Sequence, residues 1–374
     1  MTNRELLLDT LNGRKTPRVP VAPFIFNNIV NEFRKGPPGD PLEECIALYK
    51  RFGFDIILRN YFVHDYINEE VRSCEHWKVE KAVIDLGDGN WDEKTTITTP
   101  EREMSQLKSY RCVSSNETVE AITEYYIKSH EDFEQFKKYQ PPIAQSDCSC
   151  ITQARKLLGE DGITGPWMHG VFNIAGTYRE LSDLVLDAYV DGDFYIEMME
   201  YFYDRAIIFV RQLIKAGPDF ICMAGNMASG SIVGPKMFKD HVMSYEKRMI
   251  AEIHKEDIKI IYHNCGDMKY LLPMYAEMGI DMLESLAAPP FGDIELEDAF
   301  REIPPPVVLS GGVDQIDFLR KARPDEVRTR VKDVLNRVKG RGSFILAASD
   351  YFCEGTPEEN IIAFAQAGRD YGSY

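Results

Sequence analysis

The segment Lys259-Ile260-Ile261-Tyr262-His263-Asn264-Cys265-Gly266 is one of eight short apolar runs, and together these runs indicate the architecture. Its apolar residues are continuous rather than alternating, which is typical of a strand buried on both faces of a parallel sheet. Amphipathic helical patterns such as residues 237–250 separate the runs. Eight strand-then-helix repeats predict an α/β protein with a single (β/α)8 barrel, the TIM barrel. The other seven runs are residues 19–23, 54–58, 162–166, 220–224, 281–284, 307–310 and 344–348.

Two segments depart from this alternation. Thr2 and Glu5 have the spacing of a capping box, which predicts an N-terminal helical extension. Residues 76–125 alternate β-type and polar side chains, so we expect a β-hairpin insertion after the second strand. No linker-like composition divides the chain, and one domain is therefore predicted over residues 1–374.

The charge balance limits the possible partners. The 374 residues include 43 Lys+Arg and 60 Asp+Glu, which gives a formal net charge of -17. Such a chain is a poor match for nucleic acid or for an anionic membrane surface. The N-terminus lacks the apolar core of a signal peptide, and no window contains the ~20 apolar residues of a membrane span. We therefore expect a cytoplasmic protein, and its eight scattered cysteines do not resemble a disulfide framework.

His263 and Cys265 are candidate metal ligands. They stand two residues apart at the end of a predicted strand, so both side chains point to the same side of an extended backbone. A chance histidine beside a buried cysteine would give the same pattern. Cys353 follows the predicted eighth strand, however, and active sites of TIM barrels lie at the carboxyl ends of the strands. One imidazole and two thiolates would leave a fourth position open, as in catalytic zinc sites.

With these residues in place, the chain resembles the uroporphyrinogen decarboxylase superfamily, and within it the zinc-dependent corrinoid methyltransferase branch. That branch includes methylcobamide:coenzyme M methyltransferases and the O-demethylase methyltransferases. The motifs that carry the resemblance run in order from about residue 4 to the C-terminus. They are Gly165-Pro166-Trp167, Gly234-Pro235-Lys236-Met237-Phe238, His263-x-Cys265, Pro289-Pro290-Phe291-Gly292-Asp293-Ile294, Leu309-Ser310-Gly311-Gly312-Val313-Asp314, Cys353 and Gly355-Thr356-Pro357-Glu358-Glu359-Asn360.

The resemblance implies a uroporphyrinogen decarboxylase-like (β/α)8 barrel over residues 1–374. It also implies zinc on His263, Cys265 and Cys353, and a partner protein that supplies methylcobalamin or another corrinoid. The implied reaction moves a methyl group between a small methylated compound and the corrinoid's cobalt. Glu284, at the end of the predicted sixth strand, is the candidate for an exchangeable fourth zinc ligand, although pairing with a lysine or capping a loop would explain it equally well.

The sequence departs from the decarboxylase itself at two places. That enzyme is similar in fold but carries arginines after its first strand, where this chain has Phe24-Ile25-Phe26-Asn27-Asn28. It also ends its second strand in an aspartate, where this chain reads Leu58-Arg59-Asn60-Tyr61. A porphyrinogen would leave its carboxylates unpaired here. A decarboxylase-like lyase, a methylcobamide:thiol methyltransferase and a non-catalytic scaffold remain alternatives.

Substrate contacts are expected near the ends of strands one to four. The candidates are Tyr61, His64, Trp167, His169 and Asn226. For Tyr61, His64 and His169 a hydrogen-bonded loop residue is the plainer explanation, and Asn226 carries no specific signal. Aromatic residues are dense in the same region, where such rings often simply pack the core or rim. If they line the mouth of the barrel, they favour an apolar or aromatic substrate and hence an aryl methyl ether. They are Phe24, Phe26, Tyr61, Phe62, Tyr66, Trp167 and Phe172.

Overall fold

The computed structural model describes residues 1–60 and 73–374, which fall into two compact units. The described strands are β1 (Ile56–Asn60), β2 (Lys78–Gly87), β3 (Asn90–Thr98), β4 (Glu103–Cys112), β5 (Thr118–Glu124), β6 (Gly162–His169), β7 (Phe220–Ala224), β8 (Lys259–His263), β9 (Met282–Leu286), β10 (Val308–Val313) and β11 (Phe344–Ala348).

The described α-helices are α1 (Asn3–Leu11), α2 (Asn27–Phe33), α3 (Pro41–Phe52), α4 (His130–Tyr139), α5 (Ser149–Leu158), α6 (Val171–Tyr178), α7 (Leu181–Val190), α8 (Gly192–Lys215), α9 (Gly234–Met237), α10 (Met243–His254), α11 (Leu272–Met278), α12 (Leu296–Glu302), α13 (Phe318–Lys321), α14 (Pro324–Val338) and α15 (Glu358–Tyr371). Short 3-10 turns cover Asn226–Ala228 and Lys269–Leu271, and a π-helical turn covers Phe238–Val242. No helix in the described ranges is long and apolar enough to cross a membrane.

The first unit, residues 1–63, 148–168 and 216–374, contains a curled parallel sheet of seven strands. The strand order is β1-β6-β7-β8-β9-β10-β11, with each strand beside its successor. The α/β class is therefore confirmed, and seven of the eight predicted runs form strands of this sheet.

The predicted first strand, residues 19–23, is reduced to a single bridge. Val21 pairs with Leu346 of β11 in parallel, and the carbonyl of Val21 accepts a hydrogen bond from the amide of Asp55, just before β1. Pro20 and Pro23 have no N–H group, so this segment cannot form a continuous ladder.

A layer of buried side chains fills the inner face of the sheet. It takes two residues from β7 and one from each of the other six strands, together with Ala22 and two leucines of α1. The Thr2–Glu5 capping box is present at the start of α1, which confirms the predicted N-terminal helix. The layer consists of Leu7, Leu11, Ala22, Ile57, Ile163, Phe220, Cys222, Ile261, Met282, Val308 and Ile345.

Three strands have the same arrangement at their amino ends, an aspartate that binds both a backbone amide and a cationic side chain. Asp55, Asp219 and Asp281 each stand immediately before a strand, and each accepts a hydrogen bond from a backbone amide in a neighbouring segment. Each carboxylate also binds a cationic side chain, namely Arg18, Arg4 and Lys259 respectively. These pairs connect adjacent strands at the edge opposite to the candidate site.

The second unit, residues 64–147 and 169–215, contains the insertion. The structure has four antiparallel strands here, in the order β2-β3-β4-β5, where the sequence predicted one hairpin. No residue of β2 or β5 is fully buried and most are exposed, so these strands lack the alternating burial that would have marked them in the sequence. A buried aromatic cluster that includes Trp77, Phe133, Phe136 and Tyr178 forms the core of this unit. The single domain over residues 1–374 stays a prediction.

The substitution Asp281→Asn tests the contribution of these aspartates, at the amino ends of the strands, to stability. Burial raises the pKa of Asp281, but hydrogen bonds from His254, the Ile260 amide and Lys259 outweigh it and lower the pKa below its ordinary value. A lowered carboxyl pKa stabilises the fold above the unfolded-state value of about 3.9, and that contribution is lost as the pH falls through the folded value. We expect the variant to lose about 2 kcal/mol of unfolding free energy at pH 7, with the deficit shrinking below about pH 4.

Urea denaturation at pH 7 and at acid pH measures both effects. Asp333→Asn, which changes an exposed carboxylate on α14, is the matched control and should stay within about 0.5 kcal/mol of the parent protein. An Asp281→Asn deficit that grew towards acid pH would contradict the assignment.

Candidate metal centre

The candidate site is built on the inner face of the sheet, one step beyond the apolar layer. Side chains two residues apart on a strand point to the same face. Ile57 of the layer is therefore followed on that face by Arg59, Ile261 by His263, and Met282 by Glu284. Trp167 follows Ile163 by four residues on β6 and packs against the layer. Phe24 follows Ala22 in the segment after the Val21 bridge, and its ring stacks on that of Trp167.

His263 is buried and its ring orientation is fixed by hydrogen bonds at Nδ1. This nitrogen lies 3.0 Å from Oε1 of Glu284 and 3.1 Å from Oγ of Ser285. An ionised carboxylate can only accept hydrogen bonds, so we assign the hydrogen to Nδ1. The other ring nitrogen, Nε2, is then the one left for a ligand, which is the arrangement of metal-binding histidines that are oriented by a carboxylate.

The ionisation states agree with this assignment. Burial would raise the pKa of Glu284, but the charges of Arg59 and His263 lower it to about 2. Burial would lower the pKa of His263, but hydrogen bonds to Cys265 and Glu284 raise it to about 10. Glu284 is therefore an anion at neutral pH, and a metal ion at His263 would displace a proton.

Ser285 continues β9 beyond Glu284 with an unusual backbone. Its φ angle is 68°, in the left-handed region that side chains other than glycine rarely adopt. The residue is nonetheless buried, and its hydroxyl lies against His263. Backbone strain of this kind is common where a functional side chain must be aimed.

Three potential ligand atoms meet near His263. Among the described residues, the ligand atoms of His263, Cys265 and Asp350 all lie within 4.8 Å of one another. Imidazole nitrogen, thiolate sulfur and carboxylate oxygen are all zinc ligands, so this donor set fits zinc. Burial raises the pKa of Asp350 above its ordinary value, although the charge of the nearby His263 opposes this shift.

The predicted pair His263 and Cys265 thus comes together, and Asp350 is the residue that joins it. Cys353 lies three residues further along the same connection after β11, is partly buried, and is not in the described group. Its carbonyl accepts a hydrogen bond from the Thr356 hydroxyl at 2.7 Å. The metal-binding role of Cys353 stays a prediction.

Glu284 lies at the site with both carboxylate oxygens engaged. Oε1 faces His263 and is also 3.6 Å from Sγ of Cys222, while Oε2 accepts a hydrogen bond from Nη2 of Arg59. It does not belong to the described group of potential ligands. Its role as an exchangeable zinc ligand stays a prediction too, and the contacts favour a different task, which is to orient His263.

The predicted aromatic cluster is present in part. The ring of Trp167 is 4.9 Å from that of His263 and stacks on Phe24 at 6.0 Å. Phe24 also contacts Phe26 edge-on at 6.1 Å, and Phe26 packs on Tyr351 at 5.4 Å. The region beside the group of His263, Cys265 and Asp350 is therefore lined by aromatic rings.

The remaining predicted residues lie on other elements or outside the described residues. Asn226 begins the 3-10 turn after β7 and is partly buried, and His169 is the last residue of β6 and is also partly buried. Phe172 is buried in α6 of the second unit. Tyr61, His64, Phe62 and Tyr66 lie outside the described residues.

Arg59, Asp350 and Ser285 are site residues that sequence reasoning missed. Arg59 is 3% exposed, pairs with Glu284, and places its guanidinium carbon 4.5 Å from the centre of the Phe24 ring. A signal for Arg59 existed, because a cation in the apolar run Ile56-Ile57-Leu58 needs a buried counter-charge and Glu284 ends another apolar run. Asp350 gave no comparable signal.

Comparison with known proteins places the chain in a family. The family model described as uroporphyrinogen decarboxylase (URO-D) matches residues 113–371, which is more than half of the chain. The methylcobamide:CoM methyltransferase of Methanosarcina mazei is 19% identical over 256 residues, which cover 67% of this chain and 71% of that protein. A uroporphyrinogen decarboxylase of Prochlorococcus marinus is 22% identical over 254 residues, with 65% and 69% covered.

Solved structures agree on the fold. A methyltransferase from Methanosarcina mazei superposes with a TM-score of 0.68 over 99% of both chains, at 15% sequence identity. A B12-independent methionine synthase from Shewanella gives a TM-score of 0.53 over 94% of this chain and 97% of that one. The superfamily resemblance seen in the sequence is therefore confirmed, and the chain belongs to the uroporphyrinogen decarboxylase family.

Proposed function

We propose that this protein is a zinc-dependent methyltransferase that moves a methyl group between a small methylated compound and the cobalt of a corrinoid protein. The observation that carries the proposal is the convergence of His263 and Cys265 at the carboxyl edge of the sheet, beside a buried carboxylate that orients the histidine. Relatives whose names specify methylcobamide:CoM methyl transfer support it, and so does one named methylated-thiol–coenzyme M methyltransferase. The substrate that we favour is an aryl methyl ether.

We further propose that the parallel sheet closes into a (β/α)8 barrel, with residues 19–23 in the remaining position. The supporting contacts are the bridge from Val21 to Leu346 of β11 and the hydrogen bond from the Asp55 amide to the Val21 carbonyl. In such a barrel the carboxyl edge of the strands is the usual location of the active site.

His263, Cys265 and Cys353 would hold the zinc ion, with Asp350 available as an oxygen ligand beside them. Bound there, zinc would supply Lewis-acid stabilisation to a departing oxygen or to a thiol. The protein's own residues have other tasks. Glu284 keeps the hydrogen of His263 on Nδ1, and the burial of both side chains keeps water away from that hydrogen bond.

The aromatic lining supports the choice of substrate. Trp167 and Phe24 stack beside His263, and Tyr351 adjoins Phe24 at 6.1 Å. Faces and edges of aromatic rings bind another aromatic ring well, since offset and edge-on contacts are each favourable by about 1 kcal/mol beyond area burial. An aryl ring held here would bring its methoxy group to the metal group.

A decarboxylase-like lyase is the second candidate, because relatives named uroporphyrinogen decarboxylase match as well as the methyltransferases do. A porphyrinogen carries several carboxylates and needs several cations to bind them. Residues 24–28 supply no cation, and the guanidinium of Arg59 is already paired with Glu284. The buried charges therefore favour the methyltransferase.

We expect about one zinc ion per chain in the purified protein. Alanine at Cys265 or Cys353 should lower the zinc content sharply, because each variant removes a thiolate ligand. Elemental analysis after dialysis measures this. Cys112→Ala, at an exposed thiol on β4, is the control and should keep its metal.

Two further variants sharpen the test. Asp350→Asn should reduce zinc content if the carboxylate is a ligand, and leave it unchanged if Cys353 alone completes the set. Unchanged zinc in a Cys265→Ala, Cys353→Ala double variant would overturn the metal site as proposed.

The methyl-transfer reaction itself can be followed through the absorbance of cob(I)alamin. We expect methylation of the cobalt when methoxyarenes are supplied, and weaker or no reaction with methylated amines and thiols. Cys265→Ala should lower kcat by at least about 100-fold with a smaller effect on KM, since the metal's contribution grows as charge develops. A protein that demethylates nothing in the panel, and transfers no methyl group from methylcobalamin to a thiol, is not a corrinoid methyltransferase.

A further inference from the structure

Arg59 is a buried cation whose position is not explained by stability. Its side chain is 2% exposed and that of Glu284 is 5% exposed. Directly beneath this pair, on the same face of the sheet, lie the apolar side chains of Ile57 and Met282. Burying two charges costs several kcal/mol per ion before they attract each other, and well-packed apolar residues often serve stability as well or better.

The orientation of the Glu284 carboxylate is fixed, because each of its two oxygens has a separate partner. Oε2 accepts from Arg59, and Oε1 faces Nδ1 of His263 at 3.0 Å. A guanidinium is planar and rigid, so it fixes the orientation of the carboxylate it binds more firmly than an ammonium group does. The guanidinium carbon also lies 4.5 Å from the centre of the Phe24 ring, and this contact restrains it further.

Charge adds a second effect. The carboxylate of Glu284 is an anion within reach of the metal group, and an unpaired anion there would be drawn towards a dication. With Arg59 on Oε2, the charge of Glu284 is balanced and the carboxylate remains at the back of the imidazole. His263 can then present Nε2 to the group that it forms with Cys265 and Asp350.

We propose that Arg59 is a positioning residue of the metal centre, which acts through Glu284 to hold His263 in the orientation that binds the metal ion. The inference rests on the metal site of the proposed function, but not on the identity of the methylated substrate. It assigns to the end of β1 a task that the family resemblance did not suggest.

Zinc affinity, measured by chelator competition on folded protein, is the test. Loss of an outer partner of a ligating histidine typically weakens metal binding by 10- to 100-fold. We expect Arg59→Gln and Glu284→Gln each to weaken zinc binding by about that factor, and Arg59→Lys to restore part of it. Because Arg59 acts through Glu284, the double variant should bind zinc no more weakly than the worse single variant.

Arg18→Gln is the matched control. Arg18 forms a similar pair with the buried Asp55, with N–O distances of 2.6 and 2.7 Å, but at the amino edge of the same sheet. This variant should lower the free energy of unfolding and leave zinc affinity unchanged, which separates a positioning effect from general loss of stability. Circular dichroism checks that each variant is folded; if Arg59→Gln is not, Arg59→Lys and Glu284→Gln carry the comparison.

The outcomes are distinguishable from those of the proposed function. A wild-type protein that binds zinc, with Arg59→Gln and Glu284→Gln binding it equally well, overturns the role of Arg59 and leaves the metal site intact. Additive losses in the double variant also overturn it, since they would mean that Arg59 acts independently of Glu284. A wild-type protein without zinc affinity overturns the metal site and this inference together, whereas failure of every methyl donor touches only the proposed reaction.

Discussion

The buried carboxylate of Glu284 constrains the whole carboxyl edge of the sheet. An anion can stay ionised inside a protein only if cations or hydrogen-bond donors face it, and here Arg59 and His263 do so from different sides. Both come from other strands, β1 and β8. The pairing therefore requires a strand register that brings Arg59, His263 and Glu284 level with one another in the sheet. The orientation of His263, and with it the group formed with Cys265, follows from that requirement.

The charged residues at the amino ends of the strands stabilise the sheet, whereas those at the carboxyl ends form the candidate site. At the amino edge, aspartates that precede β1, β7 and β9 each bind a neighbouring backbone amide and a cation. At the carboxyl edge, Glu284 instead bonds His263 and is itself paired with Arg59, and the adjoining backbone at Ser285 has a positive φ. Parallel α/β folds commonly keep conserved geometry at one edge and free the other for function.

Membership of the uroporphyrinogen decarboxylase family leaves two chemistries open, because the same fold carries both. The difference lies in a few side chains at the carboxyl edge. A polyanionic substrate needs uncommitted cations, whereas Arg59, a buried cation of the described residues at this site, is paired with Glu284. Aromatic rings and a nitrogen–sulfur–oxygen group stand in their place. These features are the basis of the proposal that the methyl donor is an aryl methyl ether.

The sequence by itself determined the strand-forming runs, the capping box of α1, the family and the proximity of His263 to Cys265. Each of these depends on local patterns, since hydrophobic runs, caps and i, i+2 neighbours are set within a few residues. Only the tertiary structure decided that Asp350 joins the group, that Arg59 pairs with Glu284 across 225 positions, and that residues 19–23 form a bridge rather than a strand. It also revealed the exposed strands β2 and β5. Such features depend on which strands meet and at what register. Patterns within a few residues do not specify contacts between segments that are far apart in the sequence.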